Sequence, residues 1–118
     1  MKIETTELTG EALDWAVALI EHNDWVEQGY LESFYDLRFD DGYVFSPSTD
    51  WSQGGALIQS NKISIAPDPQ LGWIARSYMD FMDERVFSGA TPLIAAMRCY
   101  VANHYGDEVE VPTEDEAI

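Results

Sequence analysis

The sequence predicts an α+β fold, a small antiparallel sheet of three to five strands packed against two helices in a single domain. Two segments, 10–22 and 91–106, carry apolar residues at helical spacing between start and stop signals. The stretch from 56 to 87 breaks into short apolar runs separated by Asn, Pro, Asp and Gly, the pattern of a meander. The chain has 118 residues, 46% of them hydrophobic and 13% aromatic, which suffices for one two-layer core and is too apolar for disorder. The expected limits are one domain over 1–112, with 23–42 as an insertion, and an acidic flexible tail over 113–118.

Thr9 is placed to cap the first helix, and Glu11 sits where the helix dipole favours an acid. Leu13, Ala16, Val17 and Ile20 form its apolar stripe, with Asp14 and Glu21 off it and Trp15 at its edge, facing a sheet. The helix should end near Asn23-Asp24. Residues 23–42 mix Trp25, Tyr30, Leu31, Phe34 and Leu37 with six acids, and this aromatic content rules out a free linker. Asp40-Asp41-Gly42 marks a tight turn into Tyr43-Val44-Phe45.

Ala56-Leu57-Ile58 and Lys62-Ile63-Ser64-Ile65 read as a hairpin with Asn61 near its turn, and Pro67-Asp68-Pro69 stops the second strand. Leu71 to Tyr78 reads as a third strand and Asp80 to Phe87 as a fourth. In the second helix Thr91 caps, Pro92 takes the first position and Gly106 closes the end. Leu93, Met97, Tyr100, Val101 and His104 make its stripe, so it should lie across the sheet as the centre of the core. Asp107 to Pro112 alternates like an edge strand.

The chemistry concentrates in Ser46-Pro47-Ser48-Thr49-Asp50-Trp51-Ser52-Gln53-Gly54-Gly55. Trp51 offers a stacking face and an indole N–H, Ser48, Thr49, Asp50 and Gln53 offer acceptors and donors, and Gly54-Gly55 permits close backbone approach. As a recognition loop it could stack a nucleotide-like ring on Trp51. The N–H groups behind Thr91 and the Arg98 guanidinium would then receive a phosphate, with Arg76 as a second cation. A plainer reading makes Ser46–Thr49 a proline-initiated turn, Trp51 a core residue and the glycines a bulge.

The charge bounds the partners. Asp and Glu number 22 against 6 Lys and Arg, a formal −16, which repels nucleic-acid phosphates and anionic membrane surfaces. The same charge could imitate a nucleic-acid backbone and occupy a basic groove on a nuclease or DNA-binding protein, or serve solubility alone. Cys99 is the only cysteine, so no disulfide framework or cysteine zinc site is expected, and its place in an apolar helix marks a buried hydrophobe. The first residues lack a leader pattern and no 18-residue apolar run exists, which suggests a cytoplasmic protein.

Catalysis finds little support. His22 and His104 sit at helix ends, where capping or a dipole contact accounts for them, and no nucleophile–base or His–Glu spacing is present. Asp36, Asp40 and Asp41 do not match a calcium loop, and Gly54-Gly55 lacks the lysine of a phosphate-binding loop. The sequence thus predicts a binding protein with neither metal nor cofactor.

Three stretches together carry a family resemblance: Ser46 to Gly55, Thr91 to Val101, and Gly106 to Pro112. With Glu7-Leu8-Thr9-Gly10 and Leu13-Asp14-Trp15-Ala16-Val17-Ala18, they closely resemble the NinX family of lambdoid phages and prophages. The chain departs from the family pattern at Ala56 and Ala90, where proline is expected, and in a longer 23–42 segment. The resemblance implies a small accessory protein made in the cytoplasm of a bacterial host. By analogy with other such phage proteins, it would blunt a host defence by binding a nucleotide-like signal or a defence protein. Self-association into a homo-oligomer is compatible with the sequence.

Overall fold

A computed structural model describes residues 1–77 and 85–113. At its centre lies helix α4 (Pro92–Tyr105), against which a three-stranded sheet, helix α1 (Gly10–Glu21) and helix α3 (Trp51–Asn61) all pack. The order along the chain is β1 (Lys2–Glu4), α1, α2 (Asn23–Glu27), α3, β2 (Ile63–Asp68), β3 (Gly72–Ser77), β4 (Phe87–Gly89), α4 and β5 (Glu108–Glu110), with short 3-10 turns at Thr5–Glu7 and Phe34–Leu37. The α+β class follows: strands β2-β3-β4 form one antiparallel sheet, and β1 and β5 a separate antiparallel pair.

Local chemistry explains the ends of α4. Thr91 Oγ1 accepts from the Ile94 N–H at 3.1 Å, Pro92 opens the helix where no amide partner is needed, and the Gly106 N–H closes on Ala102 O. Leu93, Ala95, Ala96, Met97, Cys99, Tyr100, Val101 and Ala102 are buried, so the helix is enclosed on most sides. His104 was expected on its stripe but is exposed, with Nδ1 3.0 Å from Tyr100 O. The Tyr100 hydroxyl donates to Glu21 and so ties α4 to the end of α1.

Helix α1 forms where the sequence places it, with His22 as its C-cap. Its buried run is wider than the expected stripe: Leu13, Asp14, Trp15, Ala16, Val17 and Ala18 are all inside. Trp15 meets Phe34 of the 3-10 turn edge-on at 6.1 Å and lines a cavity together with Glu110 of β5. Within residues 23–42, Leu31 and Leu37 are 2% exposed and belong to the core.

One element differs in kind. Ala56-Leu57-Ile58, expected as a strand, lies inside α3, which makes three helices of three turns or more among the described residues. A short apolar run cannot distinguish strand from helix, and the cap upstream decides the matter. Asp50 accepts from the Ser52 N–H, and Leu57 and Ile58 then pack against the core. Asn61 does stand at a turn, but the turn ends a helix, with Lys62 in the left-handed conformation at φ 53°. Strand β2 continues through Pro67 to Asp68, which an edge strand tolerates. Of the expected fourth strand, residues 80–84 lie outside the described residues and β4 begins at Phe87. The tail expected over 113–118 falls outside them from residue 114.

Candidate functional site

The Ser46–Gly55 stretch meets a hairpin at one corner of the molecule, and the hairpin comes first in the chain. The Phe45 N–H donates to Leu37 O at 2.8 Å and the Phe39 N–H to Tyr43 O at 2.8 Å, with Arg38 bridged to Val44. Gly42, at φ 90°, makes the reversal, and Asp41 Oδ1 accepts from the Tyr43 N–H at 2.9 Å. Phe45 points inward, edge-on to His22 at 5.4 Å, while His22 stacks flat on Trp25 at 3.6 Å. Trp25 in turn meets Phe39 at 5.3 Å, and Phe39 meets Tyr43 at 5.7 Å. An aromatic chain thus runs from the core to the surface.

The next residues fold into a turn that enters α3. Both the Thr49 and Asp50 N–H groups donate to Ser46 O, at 3.1 and 2.9 Å. Asp50 caps the helix, its Oδ1 accepting from the Ser52 N–H at 2.9 Å and the Ser52 hydroxyl at 2.6 Å. Gln53 binds the turn to the hairpin: its Oε1 accepts from the Ser46 N–H at 2.9 Å, and its Nε2 donates to Val44 O at 2.9 Å and Asp50 Oδ2 at 3.0 Å. These bonds to the charged form hold the Asp50 carboxyl below its ordinary pKa. Gln53 is thus spent on building the corner, while among the described residues Asp50 Oδ2 accepts from Gln53 alone.

Gly54 is required by packing. A Cβ there would sit 2.3 Å from Pro47 O and 2.7 Å from Leu93 Cδ2, so the first turn of α3 touches the first turn of α4 only because the side chain is missing. At Gly55 a Cβ would meet only the Trp51 ring, at 3.6 Å. Trp51 is not a core residue: it is 54% exposed, its six-membered ring lying beside Gly55.

Thr91 and Arg98 serve the fold. The Thr91 side chain and carbonyl accept from the Ile94 and Ala95 N–H groups. Arg98 donates through Nε to Leu8 O at 2.7 Å and through Nη1 to Ser88 O at 2.8 Å, joining the segment before α1 to β4. Burial lowers its pKa from the ordinary value. Arg76 is exposed on β3, paired across the ladder with Ser64. The Ser48–Gly55 residues are therefore brought together, Leu93 links them to the start of α4, and Arg98 is engaged elsewhere.

The sequence reading missed Asp14. It lies 6% exposed on α1, and its Oδ1 accepts from the Ser48 N–H at 2.8 Å, anchoring the turn to the helix. Burial is the main cause that pushes its pKa from 3.8 to about 6, with Glu11 adding to the rise and the Ser48 N–H and hydroxyl opposing it. The Ser48 hydroxyl is close enough to act on the carboxyl, yet it is buried without a hydrogen bond of proper geometry. A signal for Asp14 was available: the apolar run Trp15-Ala16-Val17-Ala18-Leu19-Ile20 is too long for one face, so a carboxylate beside it would be enclosed.

Outside the corner, three cavities of about 340, 270 and 320 Å³ lie along β5, on the β2–β3 ladder and beside Trp15. Their linings include none of Ser48, Asp50, Trp51 and Gln53. No group of His, Cys, Asp and Glu among the described residues could hold a metal ion. Nor is any helix among them long and apolar enough to cross a membrane.

The family model for NinX of bacteriophage P22 matches residues 4–104. The chain belongs to the NinX family. The match takes in the whole corner, the Asp14 anchor and nearly all of α4, so the NinX region and the folded core largely coincide. No curated protein matches the chain.

Proposed function

We propose that this NinX-family protein acts by binding, as a phage accessory protein whose corner of hairpin and α3 start docks onto a host protein. The observation that carries the reading is the exposure of Phe39, Tyr43 and Val44 on the hairpin and of Trp51 at the start of α3, at 36, 45, 41 and 54%. Aromatic side chains left outside on a rigid support are the usual anchors of protein interfaces. The support here is stiff, since Gln53 fastens Val44 to Asp50 and Asp14 fastens Ser48 to α1. A protein partner is favoured over a nucleotide-like ligand because Gln53, Thr91 and Arg98 already have internal partners. The biological outcome proposed is interference with a host defence, without catalysis by this chain.

Native mass spectrometry of the protein purified from its bacterial host tests this. The expected result is a complex with a host protein that is lost in Trp51→Ala while the variant remains folded. A small nucleotide-like mass retained by the wild type and lost in Trp51→Ala would replace the protein partner with a ligand. A complex that survives in Trp51→Ala combined with Tyr43→Ala would refute the site.

A further inference from the structure

The corner surface is also marked by charge. Asp40 and Asp41 are exposed at the hairpin tip and Asp50 stands at the start of α3. Among the described residues none of the three has a cationic partner. Arg38, next to Phe39 in the chain, is held by Glu11 at 2.5 Å. Arg98 is turned to backbone carbonyls and Arg85 to Asp107. Asp41 Oδ1 accepts from the Tyr43 N–H and Gln53 joins Asp50 to the Val44 carbonyl, so the two carboxylates approach Tyr43 from different elements, and burial followed by the charges of Asp50 and Asp41 raises the phenol's pKa. Internal donors fix one of those carboxylates before any partner arrives.

We propose that this surface recognises an arginine-bearing segment of a basic protein, with guanidinium groups lying over Tyr43 or Trp51 and donating to Asp41 and Asp50. The inference rests on the binding function proposed above and names its partner chemistry. The guanidinium is the group that fits best, because it is planar, is weakly hydrated, stacks on aromatic faces and donates as a fork to carboxylates. Lysine would meet the charge but not the flat surface. A partner rich in acids would meet uncompensated repulsion from a chain of −16.

The test is a titration of ¹⁵N-labelled full-length protein with a short blocked peptide of alternating Arg and Gly, and with the same peptide carrying citrulline, the neutral shape-mimic of arginine. Saturable shifts of the Trp51 indole N–H and the Tyr43 and Asp41 amides are expected with the arginine peptide. The citrulline peptide should bind about tenfold more weakly, because it loses both the charge pair and the cation–π contact. Asp41→Asn with Asp50→Asn should weaken the arginine peptide about fivefold or more. Glu4→Gln with Glu7→Gln, the same charge change outside the corner, should leave it within about twofold. Equal binding of the citrulline peptide overturns the arginine proposal, and so does equal weakening by the two charge pairs. The binding function is judged separately: a host complex lost in Trp51→Ala but unmoved by Asp41→Asn with Asp50→Asn would keep that function and discard arginine recognition.

Discussion

Replacing Asp14 with Asn should make the protein more stable at neutral pH, and the gain should vanish in acid. Asp14 is an acid whose pKa in the folded chain, about 6, lies above its ordinary 3.8. The folded state therefore holds the proton more tightly than the unfolded state. The stability this supplies is fully present below the unfolded value and is lost as pH rises through the folded value. Over that interval, at about 1.36 kcal/mol per pH unit, the loss approaches 3 kcal/mol and is an upper bound. Asparagine keeps the shape and the acceptor for the Ser48 N–H but cannot ionise, so its stability lacks this component.

The assay is guanidinium unfolding followed by tryptophan fluorescence, for both proteins, from about pH 3.5 to 8. Each curve alone also contains the self-repulsion of a chain carrying −16, and their difference removes most of it. The variant should gain on the wild type by about 2–3 kcal/mol across the range, mostly between pH 4 and 7. A difference that stays flat, or grows in favour of the wild type as pH rises, would refute the reasoning. It would mean that the bond from the Ser48 N–H outweighs the cost of burying the charge.

Six further substitutions have expected outcomes. Gly54→Ala should cost about 2–3 kcal/mol in thermal unfolding, because its Cβ would collide with Pro47 O and Leu93, whereas Gly55→Ala should stabilise α3 by up to about 1 kcal/mol. Arg98→Lys should lose about 2 kcal/mol by denaturant titration, since one ammonium cannot serve Leu8 O and Ser88 O as the guanidinium does. Ser48→Ala should change stability by less than about 1 kcal/mol in either direction, because the buried hydroxyl makes no hydrogen bond of proper geometry and acts on the Asp14 carboxyl only weakly, and because the backbone donor is kept. Trp51→Ala should change stability by less than about 0.5 kcal/mol while abolishing the host complex, whereas Asp50→Ala should cost about 1–2 kcal/mol through loss of the helix cap.

What was legible in the sequence was local. Thr91, Pro92 and Gly106 announce α4 because capping depends on residues within one turn of each other. The stripe of α1 and the turn at Asp40-Asp41-Gly42 are legible for the same reason. The pair β1–β5 was only half visible. Asp107 to Pro112 alternates, but its partner is the first strand, and a register joining Lys2 to Glu110 across the whole chain leaves no trace in a local window. The element read wrongly, α3, failed at the two glycines. Consecutive glycines argue against a helix by propensity, about 1 kcal/mol each relative to alanine, yet Gly54 is needed by the contact with Pro47 and Leu93. That contact exists only once α4 is in place, so tertiary packing overrode the local preference.

The site divides along the same line, and the division bears on what the corner does. The sequence singled out the ten residues from Ser46 to Gly55 but could not tell which of their polar groups would face outward. Ser, Thr, Asp and Gln near a helix start have two outlets, the backbone amides of that helix or an external ligand. Here the first outlet is taken: Asp50 serves Ser52 and Gln53, Gln53 serves Ser46 and Val44, and Ser46 O serves Thr49 and Asp50. Trp51 has no such choice, since its flat apolar bulk finds no cavity at the first position of α3 and remains outside. Leaving a tryptophan exposed forgoes about 1.5–3 kcal/mol that burial of a large apolar side chain would return. A neighbouring surface that covers Trp51, Tyr43 and Val44 would recover that energy. The rigid hydrogen-bonded base beneath them means little further ordering would be needed on docking. A corner preorganised in this way suits recognition of a partner's surface better than closure around a small molecule.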